Sequence, residues 1–480
     1  MTFQLQLLHA SDLEGGVDAI ERAPNFTAIA NAFQDALPEN TLTLSAGDNY
    51  LSGPFFSAAG DQSSEAGIEA ALAQAYEFLF ELEPGTLLPL DADAPPEIET
   101  DNGRVDIAIA NLIGFDASVL GNHEFDLGTF EVADIIGTEV AGGFGDNGIL
   151  AELENPGTLF PYLAANLDFS ADPNLPFLFT EELLTTEDFD LRNAIADLEA
   201  AAAANGEDAL RPAEGEGNDD FIDFDRIAPS VIAEVAGEQI GIIGLTTPDL
   251  NSLTSTGGVE VIGPDGAPSD PAVLQGLADI ANEQVDLLQA QGIDKIVVVS
   301  HLQQFSFEQA LAPLVEGVDV FLAGGSDFIL LDENDEPFGS DEAGDTYPVL
   351  TENADGDPAV LLSTNGEFTY VGRLVVEFDE NGVLIPESID SIESGAFRTT
   401  DQGVLDAVEL LGITPEEADI TNFADLDLAA IEADAANAIG SIEFDAAGEA
   451  GLVQNLTGTV EAVVESQDGN VAGFSDAIEE

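Results

Sequence analysis

The chain has 480 residues, and 95 Asp+Glu against 8 Lys+Arg give it a formal net charge of −87 at pH 7. A surface this acidic repels duplex nucleic acid and anionic lipid, which argues against both as partners, and its self-repulsion calls for screening by salt or bound divalent cations. Cysteine and tryptophan are absent, so no disulfide framework or thiolate metal site holds the chain, while 45% apolar residues and a mean hydropathy of +0.11 supply a sizeable core.

The N-terminal string MTFQLQLLHASDLEGG lacks the basic and apolar regions of a signal peptide, and no window approaches the ~18 apolar residues of a membrane span. The composition fits an extracellular or cell-surface protein exported without a visible N-terminal signal, as acidic bacterial exoproteins with a C-terminal signal are. The alternative is the cytoplasm of a salt-adapted organism.

In chain order, residues 3–8, 41–45, 117–120, 293–300 and 318–322 are short apolar runs that predict strands buried on both faces. Helical patterns cover 26–37, 67–80 and 271–291, the last ending at Gly292. Residues 230–236 and 238–245 turn on Gly237 as a hairpin, and 370–379 adds a further strand. This alternation predicts an α/β fold with functional groups in loops at the carboxyl ends of strands. Acidic stretches at 84–103 and 181–220 read as insertions, the second with a helix placing Leu191, Ile195 and Leu198 on one face. Residues 381–480 read as a linker and the start of a further C-terminal domain.

Five polar motifs follow the strands. Asp12-Leu13-Glu14 puts two carboxylates within reach of one hard cation, although acidic pairs are common in so acidic a chain. Asp48, between Gly47 and Asn49, could bridge two cations or be a turn aspartate. Gly121-Asn122-His123-Glu124-Phe125-Asp126 is the most specific string. It offers Asn122 as a metal ligand, His123 as a general acid or phosphate-binding group, and Asp126 to hold that imidazole protonated. His301 ends a strand and could present a ring nitrogen to the same cleft, as could the Asp327 carboxylate after Gly324 and Gly325. A structural histidine is the plain alternative for each ring. His9 reads as packing or support.

Together these residues resemble the calcineurin-like metallophosphoesterases, in particular the 5′-nucleotidase and atypical extracellular alkaline phosphatase branch. The strings that carry the resemblance are LLHASDLEGG, LSAGDNYLSGPF, LGNHEFDLG, FPYLAANLDF, IAPSVIAEVAGEQIGIIGLTTPD, VSHLQQ and VGRLVVEFD, spread over roughly residues 3–380. The resemblance implies a four-layer α/β/β/α sandwich over residues 1–380, with a partial C-terminal extension. It implies two divalent cations, one held by Asp12, Glu14, Asp48 and Asp327 and the other by Asp48, Asn122 and His301. His123 and Asp126 match the catalytic dyad, and Asn49, Asn122 and His123 the substrate-binding groups. The activity implied is hydrolysis of a small phosphomonoester or phosphodiester by a metal-bridging hydroxide.

The chain departs from the family's pattern at two points. Glu14 stands where the family has histidine, and Gly324-Gly325-Ser326-Asp327 stands for Gly-His-x-His or Gly-His-x-Gln. One site thereby becomes all-oxygen, which favours calcium, manganese or magnesium over zinc, and Gly325 removes an imidazole from the other. The tail LTGTVEAVVESQDGNVAGFSDAIEE resembles only the opening of the family's base-binding C-terminal domain, with no Tyr after Tyr370 and no Arg after Arg398, so truncation or a less demanding phosphoester substrate is expected. A calcium-binding, catalytically degenerate surface or assembly module is the competing expectation.

Overall fold

The computed structural model describes residues 2–60, 65–82, 85–87, 98, 100–140, 149–151, 153–206, 210–212, 221–264, 266–412 and 448–468. Its first strand, Phe3–Ala10, is buried on both faces from Leu5 onward. Leu5 and Leu7 enter one hydrophobic core while Leu8 and Ala10 enter another. A strand buried this way must lie in a sheet covered on both sides.

That sheet has eight strands. Phe3–Ala10, Thr41–Ser45, Ala117–Val119, Tyr162–Leu163 and Ile227–Ala228 run parallel in that order, and Tyr370–Phe378 joins antiparallel beside the first. In a second sheet Glu238–Thr246, Ile296–His301, Val320–Gly324 and Pro358–Leu362 run parallel, closed at the edges by antiparallel Ser230–Val235 and Val349–Glu352. The hairpin turns through Ala236 at φ 51° and Gly237 at φ 82°, the two positive angles a tight two-residue turn requires.

The sheets stack through Leu5, Leu7, Leu42, Leu44, Val119, Ile242 and Val298. They approach closely at Gly244, where an added Cβ would lie 2.3 Å from the Leu163 Cβ and 2.4 Å from its carbonyl carbon. At that crossing the Ala165 N–H donates to the Gly244 carbonyl at 2.8 Å. Helices Ala19–Ala36, Glu65–Leu79 and Arg104–Ile113 cover the first sheet, and Pro271–Ala290 and Phe305–Leu311 cover the second. The layers are α/β/β/α.

The expected strands and helices are all present, with shifted ends. The helix expected over 26–37 starts at Ala19 and carries Pro24 inside it. The strand expected over 293–300 runs over Ile296–His301. Leu191–Asn205 forms the expected helix of the 181–220 insertion, with Leu191 buried and Ile195 and Leu198 half-buried against the outer core. Most of the insertion at 84–103 lies outside the described residues.

Beyond residue 380 the chain adds to this same fold. Leu384–Ile385 and Gly395–Arg398 pair with Tyr370–Phe378, and helix Asp401–Leu410 packs on Ala19–Ala36. Helix Glu449–Asp468 returns to the outer core, burying Val453, Leu456, Val460 and Val463 at helical spacing. Leu456→Ala should therefore cost about 2–5 kcal/mol in denaturant unfolding. An unchanged midpoint would show that this helix does not support the core.

Candidate metal centre

Parallel strands bring their carboxyl ends to one edge, and stacking two such sheets brings the two edges together. Side-chain bonds tie the edges. Thr246 Oγ1 donates to the Leu120 carbonyl at 2.7 Å, Ser11 Oγ to Ala323 at 2.8 Å, and His301 Nδ1 lies 2.7 Å from the Ala46 carbonyl. The loops leaving these strands hold Asp12, Glu14, Asp48 and Asp327 at φ 47°, 59°, 46° and 46°. Four non-glycine residues in the left-handed region at one place is local strain of the kind folds retain at functional sites.

Asp48 is the centre of the cluster. Its Oδ2 lies 2.9 Å from His301 Nε2, and its Oδ1 accepts the His123 backbone N–H at 2.9 Å. Ligand atoms of Asp12, Asp48 and His301 lie within 4.8 Å of one another, as do those of Glu14, Asp48 and His123. Asp12 accepts the Gly325 N–H on both oxygens, at 2.8 and 2.9 Å. Gly366 marks where Glu14 and Asp327 approach each other: an added Cβ there would sit 2.9 Å from Asp327 Oδ1 and 3.3 Å from Glu14 Oε2. Asn122 Oδ1 meets His301 Nε2 at 3.2 Å and also meets the Gln303 amide nitrogen.

The His301 ring tests whether a cation fits. A carbonyl only accepts, so Nδ1 carries a proton toward Ala46, and Nε2 faces two further oxygens, from Asp48 and Asn122. A neutral ring would point its lone pair at two acceptors. A proton or a metal ion on Nε2 removes the conflict, and the carboxylate, amide and imidazole donors suit a divalent cation.

His123 stands at the open side, with its ring about a third exposed, and Nδ1 meets Asp126 Oδ2 at 2.7 Å. Thr254 Oγ1 donates to the other Asp126 oxygen at 3.3 Å. Sequence reasoning gave Glu124 no role, yet its buried carboxylate accepts the N–H groups of Gly121, Asp48 and Asn49 at 2.8, 3.2 and 2.8 Å and so fixes both loops. The only signal for it was an acid flanked by His123 and Phe125. Gln303, two residues beyond the strand-end histidine, likewise had no role in the sequence reading.

The structure brings together Asp12, Glu14, Asp48, Asn122, His123 and His301. Asp327 borders them from an exposed position and lies in neither tight group. Asn49, expected to bind substrate, turns its side chain into the fold instead of toward the cluster. It is buried, with its amide nitrogen donating to Ser118 and Tyr162 at 2.8 Å each and its oxygen accepting from Ser45, so the side chain is consumed by the fold. His9 lies away from the cluster, stacked beside Tyr347 and 2.9 Å from its hydroxyl.

The charges of the centre are interdependent. Burial pushes Asp12 up to about 7, with His301 opposing and Asp48 adding to the rise. Burial, then repulsion from Asp12, Asp327 and Asp48, pushes Glu14 up to about 8. Burial also raises Asp48, but His301 and His123 outweigh it and hold that carboxylate below its usual value. Burial works to lower His301, but the nearby Asp48 charge overcomes it and the ring rises to about 10. The Asp126 hydrogen bond lifts His123 to about 9.

No protein-family profile matches the chain. Among curated proteins, the 5′-nucleotidase of Diplobatis ommata is 25% identical over 276 residues, which are 57% of this chain and 33% of that protein. The trifunctional nucleotide phosphoesterase protein YfkN of Bacillus subtilis (strain 168) is 24% identical over 284 residues, 59% of this chain and 15% of that protein. A solved 5′-nucleotidase precursor from Thermus thermophilus aligns at a TM-score of 0.49 and 22% identity, over 85% of this chain and 58% of that one. The chain spans about a third or less of the curated relatives named here. Over the matched spans the chain is similar to 5′-nucleotidases and a nucleotide phosphoesterase, at about a quarter identity.

The charges predict how the cation-free protein responds to pH. Asp12, Glu14 and His301 have folded values above the ordinary 3.8, 4.5 and 6.5, so each favours the fold while protonated. The carboxyl contributions are complete below their ordinary values and lost as pH climbs through about 7 and 8, and the His301 contribution is lost through about 10. Asp48 has the opposite sign, and its contribution is already complete above its ordinary value of 3.8. In chelator the melting temperature should fall from about pH 5.5 to about pH 8.5, and Mn2+ should raise it more at the higher pH. A metal-induced rise that is equal at both pH values would contradict the assignment.

Proposed function

We propose that the chain is a metal-dependent phosphoric ester hydrolase that releases phosphate from small organic phosphoesters, nucleotides among them. The observation that carries this reading is the His123–Asp126 pair at the open side of the Asp48-centred cluster. A cation site with a purely structural role has no use for an imidazolium held by a carboxylate, which speaks against the degenerate module. The names of the sequence relatives, 5′-nucleotidases and a nucleotide phosphoesterase, support the same activity.

Asp12, Glu14, Asp48 and Asp327 would hold one divalent cation, and Asp48, Asn122 and His301 the other. The oxygen-only donors of the first favour calcium, manganese or magnesium over zinc. When bound, the cations supply Lewis-acid stabilisation of phosphoryl charge and an activated water. The residues do the rest. Glu124 fixes the loops of Asp48 and Asn122 relative to one another. His123, kept protonated by Asp126, faces the developing phosphoryl charge and donates a hydrogen bond or proton from Nε2.

In domain terms residues 1–380 carry the catalytic machinery, and the described segments beyond them brace it. The charge suits a salt- or cation-rich setting such as the cell exterior. Among the described residues no helix is long and apolar enough to cross a membrane.

Metal-restored protein should hydrolyse a generic phosphomonoester in a chelator-sensitive way, and His123→Ala should lower kcat by about 10²–10⁴-fold. The acid form of His123 is the active one, so the rate should fall as pH rises through about 9. Asp126→Asn removes the group that raises His123 and should move that fall to lower pH. Absence of metal-dependent turnover under Ca2+, Mg2+, Mn2+ and Zn2+ would contradict the hydrolase reading.

A further inference from the structure

The oxygen and nitrogen donors around His301 Nε2 include one side chain with no role so far. Gln303 lies two residues beyond His301, with fully buried Leu302 between them, and its backbone is left-handed at φ 73°. A glutamine has no intrinsic reason to adopt that conformation, so the fold holds it there. The result is a carboxamide set against Asn122 Oδ1, the atom that also faces His301 Nε2 at 3.2 Å.

Gly325 shows how tightly this space is allotted. At φ +78°, an added Cβ would lie 2.8 Å from His301 Nε2 and 2.9 Å from the Gln303 amide nitrogen. A side chain at position 325 would collide with the imidazole and the Gln303 carboxamide, which already fill the place. The end groups of Asn122, His301 and Gln303 therefore converge beside Asp48 Oδ2, which is 2.9 Å from His301 Nε2.

We propose that Gln303, through Oε1, is a further oxygen ligand of the cation held by Asp48, Asn122 and His301. This rests on reading those three residues as a cation site. The two ends of a carboxamide fill the same volume, so the partner decides which end is presented. Facing a bare Asn122 oxygen, the –NH2 donates. With a divalent cation between the two amides, the oxygen turns inward. A neutral oxygen completes the coordination without adding negative charge to a site already crowded with carboxylates.

The test is Mn2+ binding by calorimetry to the full chain, comparing wild type with Gln303→Ala and Gln303→Glu, and with melting in chelator as the control for folding. Wild type should bind two Mn2+ ions. Gln303→Ala should weaken one of them by about tenfold or more and leave the other unchanged. Gln303→Glu keeps an oxygen ligand but cannot donate to Asn122, so it should bind that ion at least as tightly as wild type. Equal binding by wild type and Gln303→Ala overturns the proposal. Equal weakening in Ala and Glu variants also overturns it, because Gln303 then only props Asn122 by donating to it. Failure of wild type to bind Mn2+ at all removes the cation site itself, and this inference with it.

Discussion

The Asp48 carboxylate is the constraint around which the rest of the molecule is arranged. It sits where the carboxyl edges of two stacked parallel sheets meet, and it belongs to both groups of potential ligands. Bringing Asp12, Glu14 and Asp48 together out of water is costly, and the rise of Asp12 to about 7 and Glu14 to about 8 expresses that cost. His301, held charged by Asp48 and oriented by the Ala46 carbonyl, offsets part of it from the floor of the site. A divalent cation offsets more, since it replaces protons that the cluster would otherwise retain.

The surrounding fold has the rigidity that such a cluster demands. At Gly244 the two sheets are in near backbone contact, so neither can slide to relax the carboxylates. Glu124 binds the Asp48 and Gly121 loops to a single carboxylate, and Ser11 and Thr246 lock the loops across the sheets. Strain is concentrated in the left-handed Asp12, Glu14, Asp48, Gln303 and Asp327, at the ends of strands whose interiors are regular. The outer helices, including Glu449–Asp468, supply apolar burial that keeps those strands in place.

Much of this was legible in the sequence, because period and punctuation are local. Apolar runs such as 41–45 and the Gly237 turn declare strands, and a polar motif after each strand declares a shared edge. A candidate site was legible as well, since few structural roles call for Asn122, His123 and Asp126 in one short string. What sequence could not supply was direction. Asn49 sits in the same string as Asp48, yet its side chain turns into the fold toward Ser118 and Tyr162. Glu124 looks like one more acid among 95, and only its three backbone partners reveal the clamp. The C-terminal helix was opaque because its apolar face is recognised only against the helices it covers.

The most direct test of a shared carboxylate is Mn2+ stoichiometry in Asp48→Asn, read by calorimetry beside wild type. A bridging Asp48 predicts that both ions weaken together, since each loses the same charged ligand. A variant that loses one ion and holds the other at wild-type affinity would contradict the account, because Asp48 would then serve a single site.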